Sequence, residues 1–294
     1  MKVSISLINL QHDNHQKFKI NNLNNQSAFI SLIITTYNRP DALALVLESV
    51  KQQTLLPKEV IIADDGSRDE TRKTIEAVQE NFPVPLRHCW QEDDGFRLAK
   101  IRNKAIAMAQ GSYIIMIDGD IILSKSVVFQ HEKQATPNTF IQGSRVLIGP
   151  MKTQQLLQSG KTAFSFFTRD LRCRENKIQS RLLFELTKNK YQGSIRGIKG
   201  CHMSYWKENV IAINGFNEAF EGWGREDTDF AIRMMNQGFS RKNLKFIAPT
   251  GHLYHPERSM HNHEKNNDLA MRAQSMKSTV CDKGIAAYLD TATQ

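Results

Sequence analysis

The most constraining feature of this chain is the strict alternation of strand and helix patterns in its first half. Short apolar runs suited to buried strands (Phe29 to Thr35, Glu59 to Ala63, Val84 to Trp90, Tyr113 to Ile117) alternate with stretches of helical spacing. Pro40 sits where a first helical residue belongs, and Leu43, Val46, Leu47 and Val50 follow at intervals that share one helix face. Ser67 and Glu70 have the spacing of a capping box, with Ile75 and Val78 as an inner face. Leu98 to Met108 reads as a third helix, stopped at Gly111. Strands that follow one another through helices run parallel, and a parallel sheet is covered on both faces. The pattern therefore predicts an α/β fold with a mostly parallel central sheet and helices on both sides.

Such sheets bind ligands at the carboxyl ends of their strands. Three polar turns fall there: Thr36-Tyr37-Asn38-Arg39, Asp64-Asp65-Gly66-Ser67 and Asp118-Gly119-Asp120. In the last, two carboxylates flank a residue without a side chain, directly after an apolar strand. That arrangement suits one hard divalent cation, which in turn can hold a diphosphate; a tight turn with one solvated Asp is the plainer reading. Downstream, Gly222-Trp223-Gly224-Arg225-Glu226-Asp227 opens a helix running from about Glu226 to Gln237. Acidic residues in a first turn complement the helix dipole and cap free N–H groups. Capping has no need of a Trp between glycines, whose flat apolar surface suits a sugar ring. A strand is expected near Phe246, with His252 and His255 just beyond it as candidate metal ligands.

Composition narrows the field. The 294 residues carry 39 Lys and Arg against 30 Asp and Glu, a net of +9 that favours anionic partners. No stretch approaches the roughly 18 apolar residues of a membrane span, and Gln11 to Asn14 interrupt the only apolar run that could begin a secretory signal. The four cysteines are scattered without a C-x-x-C pair, which fits a reducing, cytoplasmic compartment. Residues 1–28 read as an appendage with one edge strand. Ser144 to Arg196 is polar and basic, as loops or helices over a cleft would be, and the last thirty residues read as helical and polar.

Taken together, "SLIITTYNRPDALALVLESVKQQ", "EVIIADDGSRDET" and "RNKAIAMAQGSYIIMIDGD" resemble the nucleotide-binding half of family-two inverting glycosyltransferases of the A-type fold. "GFNEAFEGWGREDTDFAIRMMNQG" resembles the acceptor-side motif of β-1,4-galactosyltransferases and bacterial chondroitin-type polymerases, and "DDGFRLAKIRNKAI" resembles the same polymerases. The likeness runs from Ile30 to Pro256 and is weakest over residues 145–195. It implies a nucleotide-sugar-binding half (29–123), an acceptor-binding and catalytic half (124–260) and a C-terminal helical segment (261–294).

The resemblance also implies roles. Thr36, Tyr37, Asn38, Arg39 and Asp65 would hold the uridine of a UDP-sugar, since a carboxylate accepts from the uracil N3–H that cytosine lacks. One or more of Arg97, Lys100 and Arg102 would contact the diphosphate. Asp120 would be the main ligand of Mn²⁺ or Mg²⁺, with His252 or His255 completing the sphere and Asp118 reaching the ribose or the metal through water. Asp227 would be the base that deprotonates the acceptor hydroxyl, while Glu226, Trp223 and Gly224 bind the acceptor. Arg225 and Thr228 stand where the galactosyltransferase pattern has Gly and Asp. The implied activity is transfer of a hexose or N-acetylhexosamine to a glycan or glycolipid, in bacterial surface polysaccharide or lipooligosaccharide synthesis. The basic surface would then rest on the acidic inner face of the cytoplasmic membrane.

Other classes explain less. A metal-dependent nucleotidyltransferase leaves Gly-Trp-Gly-Arg-Glu-Asp without a role. A nucleic-acid-binding protein accounts for +9, yet the acidic sheet edge would repel phosphate. A dinucleotide oxidoreductase requires a G-x-G-x-x-G after the first strand, which is not present.

Overall fold

A computed structural model describes residues 29–256 and 262–289; the expected N-terminal appendage and its edge strand lie outside the described residues. The strands are β1 (Ile30–Thr36), β2 (Glu59–Asp64), β3 (Leu86–Trp90), β4 (Tyr113–Asp118), β5 (Ile121–Leu123), β6 (Thr139–Gln142), β7 (Val146–Ile148), β8 (Leu171–Arg172), β9 (His202–Trp206), β10 (Ser240–Asn243) and β11 (Thr250–His252). The helices are α1 (Pro40–Lys51), α2 (Asp69–Gln79), α3 (Leu98–Met108), α4 (Val127–Gln134), α5 (Pro150–Ser159), α6 (Arg181–Thr187), α7 (Lys207–Ala212), α8 (Glu226–Asn236), α9 (His263–Ser275) and α10 (Ala286–Leu289).

Seven strands form the central sheet in the order β10-β6-β9-β4-β1-β2-β3. Six run parallel; β9 alone opposes its neighbours β4 and β6. Alternation along the strands divides the core into two layers. Leu32 and Ile34 of β1 face one apolar cluster with Leu43 and Val46 of α1, while Ile33 faces the other with Ile101 and Ala105 of α3 and Phe230 of α8. Both faces are thus sealed, and β1 and β2 are buried along their whole length.

A second, four-stranded sheet in the order β5-β11-β7-β8 sits beside the first. Its central feature is the antiparallel pairing of β11 with β5, which sets His252 opposite Ile121. β5 starts one residue after Asp120, so this register carries a histidine from far along the chain to the end of β4.

Three local expectations need correction. No strand forms at Phe246, which lies in a turn at φ +73° between β10 and β11. The Ser67–Glu70 capping box does not form: α2 begins at Asp69 after Arg68, and Ser67 Oγ instead accepts from the Asn38 backbone N–H at 2.8 Å. Gly111 is not a helix cap, because α3 ends at Met108; a Cβ at Gly111 would meet Ser31 Oγ at 2.4 Å and the Phe29 carbonyl at 2.5 Å. Among the described residues, no helix is long and apolar enough to cross a membrane.

Candidate active site

The carboxyl ends of β1, β2 and β4 open into a cavity of about 640 Å³, closed on the far side by residues 198–201 and the start of α8. Of the residues singled out in the sequence, Thr36, Tyr37, Arg39, Asp65, Arg102, Asp118, Asp120, Trp223, Gly224, Glu226, Asp227, His252 and His255 all line it.

The Asp64-Asp65 turn divides its labour. Asp64, buried, accepts from the Ser67 N–H at 2.8 Å and faces His88 Nε2 at 3.0 Å, so it is the residue that shapes the turn. Asp65 faces the cavity and is fixed there by Gln91 Nε2 (2.6 Å) and the Arg97 N–H (3.0 Å).

At the end of β4, Asp118 Oδ1 accepts from Thr35 Oγ1 at 2.9 Å. Two residues on, Asp120 Oδ1 lies 3.6 Å from His252 Nε2 and Oδ2 lies 3.5 Å from His255 Nε2. One ligand atom from each of these three residues falls within 4.8 Å of the others, the spacing of groups that can share a cation. Both histidines therefore reach Asp120. Nδ1 of His255 faces the Pro256 carbonyl at 2.8 Å; a carbonyl only accepts, so Nδ1 donates there and Nε2 is the ring nitrogen turned toward Asp120. Asp120 Oδ1 is buried without a hydrogen-bond donor. Burial pushes the Asp120 carboxyl up from its ordinary value, and burial likewise pushes His252 down, away from its charged form. Two imidazole nitrogens beside an under-satisfied carboxylate fit a divalent cation of the Mn²⁺ or Mg²⁺ kind.

The opposite wall is built by α8. Gly222, Gly224 and Arg225 all have positive φ (+73°, +104° and +74°), which turns the chain sharply into the helix and presents Trp223, 44% exposed, to the cavity. Trp223 stacks on His263 with ring centroids 6.0 Å apart. Asp227 Oδ2 accepts from the Gly200 N–H at 2.6 Å and Oδ1 from Thr228 Oγ1 at 3.2 Å. Glu226 is buried and pairs with Arg102 Nη1 at 3.1 Å. Its carboxyl is pushed up to about 7, chiefly by burial and then by Asp227, against the pull of Arg102.

Arg102 is enclosed, 1% exposed, with Nη2 3.4 Å from Asp118 and its guanidinium 5.1 Å over the Phe216 ring. It joins the end of β4 to the start of α8 and is committed to two carboxylates, not free for a diphosphate. Arg97 and Lys100 do not line the cavity; Arg97 pairs with Asp94 at 2.8 Å. Asn38 does not line it either, because its Oδ1 accepts from the Arg68 N–H and ties the first turn to the second. Arg39 lines it but pairs with Asp41 at 3.2 Å.

Sequence reasoning missed Arg145, which follows β6 at the same sheet edge. Its Nη1 donates to the Cys201 sulfur, its Nε is buried without an acceptor, and its charge acts on His252. The Gly143-Ser144 pair before it, in the link from β6 to β7, was the available signal. His263 and Gly200 carried no local signal at all.

A family model described as glycosyl transferase family 2 matches residues 31–213, and one described as the N-terminal domain of galactosyltransferase matches residues 180–258. The validoxylamine A glucosyltransferase of Streptomyces hygroscopicus subsp. limoneus is 27% identical over 241 residues, covering 75% of this chain and 51% of that protein. The chondroitin synthase of Escherichia coli is 24% identical over 238 residues (71% and 32% covered), and the hyaluronan synthase of Pasteurella multocida 26% over 259 (79% and 25%). The chain thus spans between a quarter and about half the length of these relatives. Among solved structures, S. aureus TarS 1–349 in complex with UDP superposes with a TM-score of 0.55 at 17% identity, over 90% of this chain and 70% of that one. The mannosyltransferase PcManGT from Pyrobaculum calidifontis, in complex with GDP-Man and Mn²⁺, gives 0.54 at 16%, over 92% and 74%.

Proposed function

Since the chain belongs to glycosyl transferase family 2, we propose that it moves a hexose or N-acetylhexosamine from a UDP-sugar to a glycan or glycolipid acceptor, with metal dependence and inversion at the anomeric carbon. The observation that carries this reading is the convergence of Asp120, His252 and His255 in the same cavity as Asp65 and the Glu226-Asp227 pair. The TarS complex with UDP and the PcManGT complex with GDP-Man and Mn²⁺ support a nucleotide and a metal in this fold. Bacterial surface polysaccharide or lipooligosaccharide assembly is the proposed setting.

In this reading Asp65 accepts from uracil N3–H, held to the task by Gln91 and the Arg97 amide. Thr36 and Tyr37 flank the uridine. Arg145, beside His252, faces the diphosphate in the place foreseen for Arg102. Asp120, His252 and His255 would hold Mn²⁺ or Mg²⁺, which when bound neutralises charge on the leaving diphosphate. Trp223 offers the acceptor sugar a stacking face, and Glu226 orients its hydroxyl. As that oxygen bonds to the anomeric carbon and the bond to diphosphate breaks, Asp227 takes the hydroxyl proton and UDP departs with the bonding electrons. One displacement turns an α-linked donor into a β-glycoside.

Calorimetry with UDP and CDP in the presence of Mn²⁺ tests the nucleotide assignment. UDP is expected to bind more tightly, and Asp65→Asn to narrow the gap, because an amide presents a donor as well as an acceptor. Equal affinity of the native protein for UDP and CDP contradicts it.

A further inference from the structure

Charge is unevenly spread along this chain. Residues 161–199 hold ten lysines and arginines and three acidic residues, a net of +7 out of the whole chain's +9. Glu185 is already engaged by Lys188, and Asp170 accepts from the Lys152 backbone N–H. Arg169, Arg172, Arg174 and Arg196 form no ion pair among the described residues.

The same segment exposes bulky apolar side chains. Phe167 is 83% exposed, Leu182 70% and Leu186 72%. On α6, Leu182 and Leu186 are one turn apart and share a face, while Phe184, on the opposite side, is buried in the core at 1%. The helix is pinned at both ends: the Ser180 N–H donates to the Phe246 carbonyl at 2.9 Å and the Asn243 N–H to the Lys188 carbonyl at 2.8 Å. The outward leucines are therefore held in water by the fold itself, at a cost the protein alone does not recover.

We propose that α6 and the basic segment around it dock on an anionic lipid bilayer, with Leu182 and Leu186 entering the interface and the arginines facing lipid phosphates. A second copy of this chain fits poorly, because a two-fold contact would set +7 against +7. Nucleic acid offers the arginines phosphates but gives the leucines nothing apolar to enter. The segment runs directly into Ile198, Lys199 and Gly200 of the cavity wall, so docking here sets the site beside the membrane surface. This rests on the proposed transfer to a lipid-linked acceptor for its role, while docking itself is measured without turnover.

The experiment is co-sedimentation of the full chain with vesicles of mixed phosphatidylglycerol and phosphatidylcholine, and with phosphatidylcholine alone. Binding is expected only to the anionic vesicles and is expected to be lost in about 0.5 M salt. The double variant Leu182→Ser with Leu186→Ser should reduce partitioning about tenfold or more, with an unchanged melting temperature. Absence of binding to anionic vesicles at low salt overturns the proposal. So does equal binding by the double variant, or a native dimer in sedimentation velocity that the double variant dissociates, which would make the face a self-interface. Failure of UDP binding alone leaves vesicle docking standing and rejects only the catalytic reading.

Discussion

Glu226 and Asp227 are neighbours held in different ways, and the difference separates their roles. Asp227 accepts from a backbone N–H and a hydroxyl, which keep it oriented toward the cavity. Asp227→Asn retains an oxygen for the Gly200 N–H, so stability and UDP affinity should hold while turnover falls by about 10²–10⁴-fold. A variant that melts early yet turns over normally would make Asp227 a structural residue. Glu226 is governed by burial instead. Its carboxyl titrates at about 7 in the folded protein, against an ordinary value of 4.5. Between those values the native state holds the extra proton, so this group lowers stability as pH rises through the window and adds no further slope above it. Thermal melts in EDTA from about pH 5 to 7.5 should therefore show a smaller decline for Glu226→Gln than for the native chain. Parallel declines would place the titration elsewhere.

At the scale of elements, the start of α8 holds a strained residue of the site. Arg225 sits at φ +74° with Gly224 before it at +104°, in the region where a side chain costs about 1 kcal/mol. A glycine, as the resemblance to galactosyltransferases implies at this position, would carry no such cost. Arg225→Gly should leave the protein equally or more stable, by up to about 1 kcal/mol in urea unfolding; a clear loss of stability would show that the guanidinium packs productively. Turns such as this one, and β1 to β4 with their acidic ends, were legible because their signals are local: apolar runs, Pro40 at a helix start, carboxylates after a strand. The Ser67 capping box was not, because Asn38, 29 residues away, claims its hydroxyl. The strand expected at Phe246 failed because apolar residues there serve a turn between two short strands. That both His252 and His255 reach Asp120 could not be read from spacing, since it depends on β11 pairing with β5 across more than a hundred residues. The same reason hid Arg145, whose part is set by the link that carries the chain from β6 in the large sheet to β7 in the small one.

For the whole molecule, Arg102 is the tie between the strand ends and the catalytic helix. Replacing it with Met would leave Asp118 and buried Glu226 without their cation, at an expected cost of about 3–5 kcal/mol in urea unfolding. Adding Glu226→Gln should recover part of that loss, and a pair of additive effects would show that the ion pair contributes nothing. The central claim concerns the cavity as a unit: Asp120, His252 and His255 on one wall, Asp227 on the other. The most direct measurement is UDP release from a panel of UDP-sugars, with Mn²⁺ and with EDTA, for the native chain and for Asp120→Ala. The account predicts turnover of at least one UDP-sugar with Mn²⁺, its loss in EDTA, and recovery on adding Mn²⁺ back to the native chain but not to Asp120→Ala. Turnover undiminished by EDTA, or consumption of another nucleotide-sugar while every UDP-sugar remains intact, would contradict it.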